Sequence, residues 1–466
     1  MILYLSIVFL LGCSNEVSKP SPPLPSEKEL LAQQKRKEKR KLKFIAEDVS
    51  CLRGLEFSPV PFIEHQSPED FRSFIQEDID KELNHKKGKV FSYTLKGLRL
   101  LPPDFDLRQS YIDMIAEQAA AYYDPRTDGF YIVAQMKGLM LDATIAHELQ
   151  HALQDQHTDM LSNYTSESFQ SFDHEMATRF LVEGEATLIG NTWLMQGMGS
   201  MFGLGDPGKN CLREKPTKEL QRFWDSIRGF IKETAFATRE ENTNMPKWMK
   251  ILISMSMPMD KIEEGLKNLP IFHYYLLNTP YLRGSWYAYV KLQQSGWKRS
   301  GLDNLFINPP QTTEQTLHPE QENPAPPFPK PATVPAEISK GWKPHQPDTM
   351  GEMGIVIWLI EHGISEKEAY FAATGWNGDR VQVWTPISEG TTPTKYAISW
   401  NMLWDTKEDA WKARKAIQSQ IKHSFPTFES DSWASQSKQG KETFTYANSK
   451  GIVEWNQDQI VMWWGF

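Results

Sequence analysis

The run "ATIAHELQHALQDQH", Ala143–His157, constrains the fold more than any other stretch of this chain. It contains no Gly or Pro, so we expect one uninterrupted helix. Side chains four residues apart lie on one face of a helix, one turn apart, so His147 and His151 can bind a single metal ion. The same helix carries a second, apolar stripe formed by Ile145, Leu149 and Leu153. We therefore expect a central helix packed on more than one side, with another element facing its histidines.

Glu148 lies beside the first of these histidines, about 100° around the helix axis. Its carboxylate can thus reach a water molecule on the metal without itself binding the ion. Zinc lowers the pKa of a bound water to about 7 and polarises a carbonyl, and a nearby glutamate can take the proton and pass it to a leaving amine. The pattern therefore predicts His147 and His151 as zinc ligands and Glu148 as the general base of a hydrolysis. The alternative interpretation is a pair of core histidines that are hydrogen-bonded to their neighbours.

The third zinc ligand is open to three interpretations. His157 has the spacing of the metzincin motif, but Gln154 stands where that motif has a Gly that turns the chain. A continuing helix would place His157 about 9 Å beyond the second histidine and off the metal face. Glu183 and Glu185 lie in a second apolar helical segment, where an unpaired carboxylate is costly. They project about 200° apart, so spacing alone does not choose between them.

The N-terminus resembles a bacterial lipoprotein signal peptide. Residues 1–12 are apolar but too short to span a bilayer, and "LLGC", ending at Cys13, fits the lipobox, although no Lys or Arg precedes the apolar run. Residues 13–45 are Pro/Ser-rich and then basic, which is typical of a tether. We expect lipidation of Cys13 and a location in the cell envelope, at the outer membrane or cell surface. The alternative is a soluble chain with an apolar N-terminus and a chance cysteine.

The net charge bears on the class of partner, and the cysteine content bears on a disulfide. A net charge of -8 and a pI near 5.8 argue against a nucleic-acid binder and favour peptides or proteins as partners. The sequence leaves the oligomeric state open. Cys51 and Cys211 could pair in an oxidising compartment, although nothing in the sequence shows that they approach each other.

The 466-residue chain is long enough for two or three domains, and a proline-rich stretch divides it. Residues 46–320 have mostly helical patterning, and a linker is predicted over 321–345. Residues 346–466 are predicted to form a small Trp-rich α+β domain that ends in a hairpin, with its tryptophans in the core or in cross-strand pairs. Within it, Asp379 and Arg380 are expected to pair at a tight turn. Ahead of the metal helix, "YYDPRTDGFYIV" predicts another hairpin.

Several motifs together resemble a group of bacterial and archaeal HExxH surface proteins and lipoproteins within the gluzincins. In chain order they are "EQAAAYYDPRTDGFYIV" (Glu117–Val133), "HELQHALQDQH", "VEGEAT", "PPQTTEQTLHPEQ" (Pro309–Gln321) and "GWNGDR" (Gly375–Arg380). The resemblance implies a mostly helical zincin-like domain, and the "VEGEA" pattern favours Glu183 as the third ligand. It also implies that a His or Tyr from the second half of that domain stabilises the oxyanion. We predict His318 in this role, with rivals in Tyr281, Tyr287 and Tyr289.

The sequence thus predicts a membrane-anchored zinc metallopeptidase of gluzincin type. In zincin-like folds, a strand just before the active helix forms one wall of the cleft, and a substrate peptide can pair with its edge. The first alternative is a non-catalytic surface lipoprotein that uses a metallopeptidase fold as a binding module. The second is a metallohydrolase that acts on a non-peptide amide such as cell-wall material.

Overall fold

The computed structural model describes residues 27–118, 121–133, 138–158, 168–201, 211–239, 270–390, 393–424, 439–446 and 449–466. As expected, this part of the chain is mixed α+β, with helices dominating as far as residue 317 and an antiparallel sheet dominating the C-terminal region. Within these ranges, no helix is both long enough and apolar enough to cross a membrane. Cys13 and the predicted signal peptide lie outside the described residues.

Several helices begin at a Ser or Thr whose side chain accepts a backbone N–H, as Thr217 does from Leu220. The helices before the proline-rich stretch are α1 (Glu27–Arg53), α2 (Pro68–Asn84), α3 (Lys86–Gly97), α4 (Leu107–Gln118), α5 (Gly138–His157), α6 (Phe172–Met201), α7 (Lys218–Phe236), α8 (Ile271–Gln294), α9 (Arg299–Ile307) and α10 (Thr313–Leu317). The C-terminal region adds α11 (Ala336–Ser339), α12 (Gly351–Glu361), α13 (Glu366–Ala373) and α14 (Lys407–Ser424).

A three-stranded sheet lies beside α5. Its strands are β1 (Phe62–His65), β2 (Ala121–Asp124) and β3 (Gly129–Ile132). The order is β1-β3-β2, with β1 parallel and β2 antiparallel to β3. The predicted hairpin is confirmed, and Asp128 at φ 51° supplies a left-handed residue at its turn. This topology leaves β2 at the edge of the sheet, next to the histidine-bearing helix.

A six-stranded antiparallel sheet forms the C-terminal region. Its strands are β4 (Trp342–Pro344), β5 (Trp376–Pro386), β6 (Ala397–Trp404), β7 (Gln439–Tyr446), β8 (Ser449–Asn456) and β9 (Gln459–Trp464), in the order β4-β5-β6-β9-β8-β7. The closing hairpin is confirmed between β8 and β9. Trp376 pairs with Trp404 across β5 and β6, and both are fully buried, so these two tryptophans belong to the core as expected.

One hydrophobic core includes residues from both sides of the predicted linker. Leu95 of α3, Phe180 of α6, Trp358 of α12 and Trp400 of β6 belong to the same buried cluster. The reason lies in α12, which is buried continuously from Gly351 to Leu359 and therefore must be covered on every side. Helices α6 and α8 cover it on one side and β5 on another. The sheet is thus packed directly on the helical region, and its first strand falls within residues 321–345.

Two glycines bring α6 and α8 into backbone contact. A Cβ added to Gly184 would lie 2.2 Å from the carbonyl carbon of Gly284, and one added to Gly284 would lie 2.3 Å from the carbonyl oxygen of Phe180. Neither position can carry a side chain without moving the helices apart. The contact fixes Glu183 of α6 beside Tyr281 of α8.

A disulfide between Cys51 and Cys211 fastens the end of α1 to the segment that precedes α7. The backbone N–H of Leu212 also donates to the carbonyl of Cys51, at 3.0 Å. Upstream, Leu42 and Ile45 of α1 are buried in a cluster with residues of α5 and α6. The end of α1 is therefore a fixed part of the framework around the histidine helix.

Candidate metal centre

His147 and His151 of α5 face Glu183 of α6. The two helices run antiparallel, because Gly190 lies against His147 while the carbonyl of Val182 accepts a hydrogen bond from α5. The Nε2 atoms of the two histidines are 3.1 Å apart, and each is 3.4 Å from Oε2 of Glu183. Three ligand atoms predicted from the sequence are thus brought together in one small triangle.

The triangle has the dimensions of a tetrahedral metal site. Zinc bonds of about 2.0–2.1 Å to nitrogen and oxygen place neighbouring ligand atoms roughly 3.3 Å apart in a tetrahedron, and the three separations here are 3.1, 3.4 and 3.4 Å. Oε2 of Glu183 is buried without a hydrogen-bond partner in the described part of the chain. Such an oxygen is costly unless it binds something. The residues therefore fit a divalent metal ion with two nitrogen ligands and one oxygen ligand.

The charges of the three groups are strongly coupled. Burial opposes the charge on His151, but the neighbouring Glu183 carboxylate outweighs it and raises the pKa of this imidazole to about 9. Burial likewise opposes ionisation of Glu183, but the positive charge of His151 lowers the pKa of its carboxyl well below the usual range. The carboxylate is therefore held in its ionised form, which is the form that binds a metal.

Glu148 lies on the cavity side of α5 and is held by the edge strand. The backbone N–H of Tyr123 in β2 donates to Oε2 of Glu148 at 2.9 Å. Burial raises the pKa of this carboxyl, although the two neighbouring histidines oppose the shift. A raised pKa brings a carboxylate closer to the range in which it can accept a proton and release it again. Glu148 is thus a buried carboxylate with a raised pKa in the cavity beside the triangle.

The competing ligands lie elsewhere. Glu185 is fully buried on the opposite side of α6, where it accepts hydrogen bonds from Arg53 at 2.5 Å and from Gln154 at 2.8 Å. His157 remains in the continuing helix, and its Nε2 lies 2.9 Å from the carbonyl oxygen of Glu56. Because no helix breaker follows His151 in α5, His157 stays in the helix, as expected, and does not turn back towards the histidine pair.

The structure does not bring His318 to this site. Its Nε2 lies 2.9 Å from Oε1 of Glu352, which is buried at the start of α12. Tyr287 and Tyr289 are also elsewhere, buried in the core between α7 and α8. Tyr281, the remaining rival, does line the site, and its ring stacks on that of His147 with centroids 5.6 Å apart. Position in the sequence could not show which candidate lies at the site. Tyr281 lies there because the glycine contact packs α8 against α6.

A cavity of about 920 Å³ opens over the triangle. Its floor follows α6 from Glu175 to Leu194, a length of about 28 Å at 1.5 Å per residue. Roughly eight residues of an extended peptide have that length. Glu183 lies near the middle of this floor, so the triangle is open to ligands on both sides.

Burial raises the pKa of Tyr281 well above its usual range, and the charge of Glu183 adds to the shift. Its phenol therefore keeps its proton and remains a hydrogen-bond donor at neutral pH. The sequence favoured His318 over Tyr281 for the role of oxyanion donor. A signal that could have favoured it is its position three residues before Gly284, which permits close helix packing.

The Asp379 carboxylate does not form the predicted pair with Arg380. It accepts hydrogen bonds from two indole N–H groups and from the first backbone N–H groups of α12. The Arg380 guanidinium instead donates to Thr349 Oγ1 and lies over the ring of Phe328. Asp379 is thus a helix-capping residue in the core.

Comparison with known proteins bears on the sheet region alone. Residues 339–462 match a family described as "Domain of unknown function (DUF8575)". This span runs from the end of α11 to β9 and contains none of the three metal-site residues. No curated protein and no solved structure matches the chain significantly. The interpretation of the metal centre therefore depends on its geometry.

Proposed function

We propose that this protein is a zinc-dependent peptidase of gluzincin type, held in the cell envelope by a lipid on Cys13. The observation that carries the proposal is the triangle of His147, His151 and Glu183, with Glu148 beside it. A gluzincin supplies its ligands in this arrangement, two histidines from one helix and a glutamate from the next. The edge strand β2 ahead of the histidine helix agrees with the zincin-like fold implied by the sequence resemblance.

Zinc at this position supplies a Lewis acid that lowers the pKa of water and polarises a carbonyl. Glu148 acts as the general base and passes the proton to the leaving amine. The hydrogen bond from Tyr123 holds its carboxylate in place while leaving one oxygen available. The protonated phenol of Tyr281 donates a hydrogen bond to the oxyanion as it develops, in the role that the sequence prediction gave to His318.

The shape of the cavity favours a peptide as the substrate. An extended peptide that lies along the edge strand passes directly beside Glu148, because Tyr123 of that strand already contacts its carboxylate. The length of the floor along α6 fits several residues on each side of the cleaved bond. A small non-peptide amide would occupy only a part of this space.

The disulfide agrees with a location outside the cytoplasm. Disulfides such as Cys51–Cys211 persist in exported proteins and are rare in the reducing cytoplasm. Together with the lipobox-like sequence, this supports anchoring at the outer membrane or cell surface.

The test measures zinc content and hydrolysis of an unstructured protein on the same samples of the full chain. Glu183→Ala is expected to lose the metal, and His157→Ala, the matched control, to keep both metal and activity. Glu148→Gln is expected to keep the metal while kcat falls by about 10²–10⁴-fold.

Two results would contradict the proposal. One is a wild-type protein that binds no zinc. The other is a zinc-loaded wild type that cleaves no more than Glu148→Gln does, which would favour a binding module on a metallopeptidase fold.

A further inference from the structure

A chain of polar side chains runs from His151 through the protein interior to α1. Nδ1 of His151 lies 2.8 Å from Oε1 of Gln154, one turn further along α5. Nε2 of Gln154 donates to Oε2 of Glu185 at 2.8 Å and to the carbonyl of Val182 at 2.9 Å. Oε1 of Glu185 in turn accepts from Nε of Arg53 at 2.5 Å. The ion pair of Arg53 and Glu185 is therefore connected to His151 through the side-chain amide of Gln154.

The surroundings of Gln154 fix the orientation of its amide. Its two neighbours in α6, a carboxylate and a carbonyl, can only accept hydrogen bonds, so the NH₂ group must face them. The amide oxygen must then face His151, and it can only accept. In the neutral imidazole the proton is therefore on Nδ1, and Nε2 is the nitrogen that can bind a metal.

Burial makes this arrangement rigid. Gln154 is 2% exposed and Glu185 is 0% exposed, and the hydrogen-bond partners of both lie within the protein. Arg53 compensates the buried charge and also donates to Asp303 at 2.8 Å, on α9. Four helices thus hold one amide in a single orientation.

We infer that Gln154 is the positioning residue of the metal centre, which sets the protonation and the angle of the His151 ring. The inference rests on the proposed metal site. Replacement of a hydrogen-bond partner behind a metal-binding histidine typically weakens metal binding about 10–100-fold. Gln154 also stands at the position where the metzincin motif has its glycine. The same residue therefore allows α5 to continue as a helix and orients His151.

Gln150 provides a matched control. Its Nε2 donates to the same oxygen of Glu185, at 3.0 Å, and it is equally buried. It makes no hydrogen bond to His151 within the described residues. Gln150→Leu and Gln154→Leu each remove one amide donor from Glu185, and the second also removes the donor to the Val182 carbonyl and the partner of the imidazole.

The experiment is a chelator-competition titration of the full chain with Zn²⁺, alongside the absorption spectrum of the Co²⁺ form. Gln154→Leu is expected to raise the zinc Kd about 10–100-fold and to alter the cobalt spectrum. Gln150→Leu is expected to stay within about threefold of wild type. The thermal unfolding midpoints of the two variants measure how far each substitution disturbs the fold, apart from its effect on zinc.

Equal losses of zinc affinity in the two variants would overturn the inference, because Gln154 would then act only as a structural partner of Glu185. A wild-type Kd in Gln154→Leu would overturn it as well. Zinc binding without hydrolysis in the wild type, combined with the expected Kd pattern, would reject the peptidase and keep the positioning role. A wild type that binds neither metal would reject both.

Discussion

At the junction of the helices with the six-stranded sheet, the buried carboxylate of Asp379 accepts hydrogen bonds from Trp376, Trp400 and two backbone N–H groups. At the candidate metal centre, Oε2 of Glu183 is buried with no such partner among the described residues. Both carboxylates are removed from water, but Asp379 is satisfied by hydrogen bonds within the fold, whereas Glu183 is balanced by the charge of the neighbouring His151. The first carboxylate holds elements of the fold together, and the second is the one that we propose as a metal ligand.

The largest expected effect follows from the satisfied carboxylate. Asp379→Ala leaves four buried donors without an acceptor and should reduce the free energy of unfolding by about 3–5 kcal/mol. Glu183→Gln should reduce it by less than Asp379→Ala does in the metal-free protein, because His151 can release its proton once the neighbouring carboxylate is gone. Urea denaturation in the presence of a chelator measures both. Similar losses in the two variants would remove the distinction between these carboxylates.

The next prediction compares Tyr281, which lies beside Glu183, with His318, which contacts Glu352. Tyr281→Phe removes a donor from the cavity and should lower kcat by about 100-fold with zinc content unchanged. His318→Leu should leave kcat within about twofold of wild type, because the structure places His318 against Glu352. Steady-state hydrolysis by the zinc-loaded variants tests this. A large loss of kcat in His318→Leu would restore the role that the sequence analysis gave it.

A smaller change in the free energy of unfolding is expected when the pH is varied. Burial raises the pKa of Asp173 to about 8, although its Oδ1 accepts hydrogen bonds from Thr313. The folded protein must therefore keep this carboxyl protonated, whereas the unfolded chain ionises it near its usual pKa. The stability that this group supplies is fully present below about pH 4 and is lost as the pH rises towards 8.

Asp173→Asn keeps an acceptor for Thr313 and cannot ionise. It should raise the free energy of unfolding at pH 8 by more than about 1 kcal/mol and flatten the decline from pH 4 to pH 8. Denaturant titrations at several pH values measure this. An unchanged slope would mean that Asp173 does not control the pH dependence.

The smallest effect is expected at Arg380. Its guanidinium lies 4.7 Å from the ring centroid of the half-exposed Phe328 and does not bind Asp379. Arg380→Gln should therefore cost less than about 1 kcal/mol of unfolding free energy. A loss as large as that of Asp379→Ala would show that the carboxylate depends on this arginine after all.

Local patterns in the sequence predicted the local structure well. The run from Ala143 to His157 is helical and both predicted hairpins form, because side-chain period and turn residues act over short distances. His147, His151 and Glu183 converge as predicted, since a histidine pair on one helix face needs a partner opposite.

Features that depend on distant packing could not be predicted in the same way. The sequence could not assign His318 to Glu352, because it does not show where α12 packs. It also left Glu183 and Glu185 undecided by spacing, and the structure separates them through Arg53, which is more than one hundred residues away in the chain. The role of Gln154 became visible only once α6 lay beside α5.

The glycine contact between α6 and α8 has a consequence for anyone who wants to redesign the cavity. Because the two backbones touch at Gly184 and Gly284, no side chain there can change its rotamer to accommodate a different neighbour. A library aimed at new substrates should therefore leave α6 and α8 unchanged. It should instead vary the opposite wall, where the cavity is lined by Phe71, Ile75 and Met114.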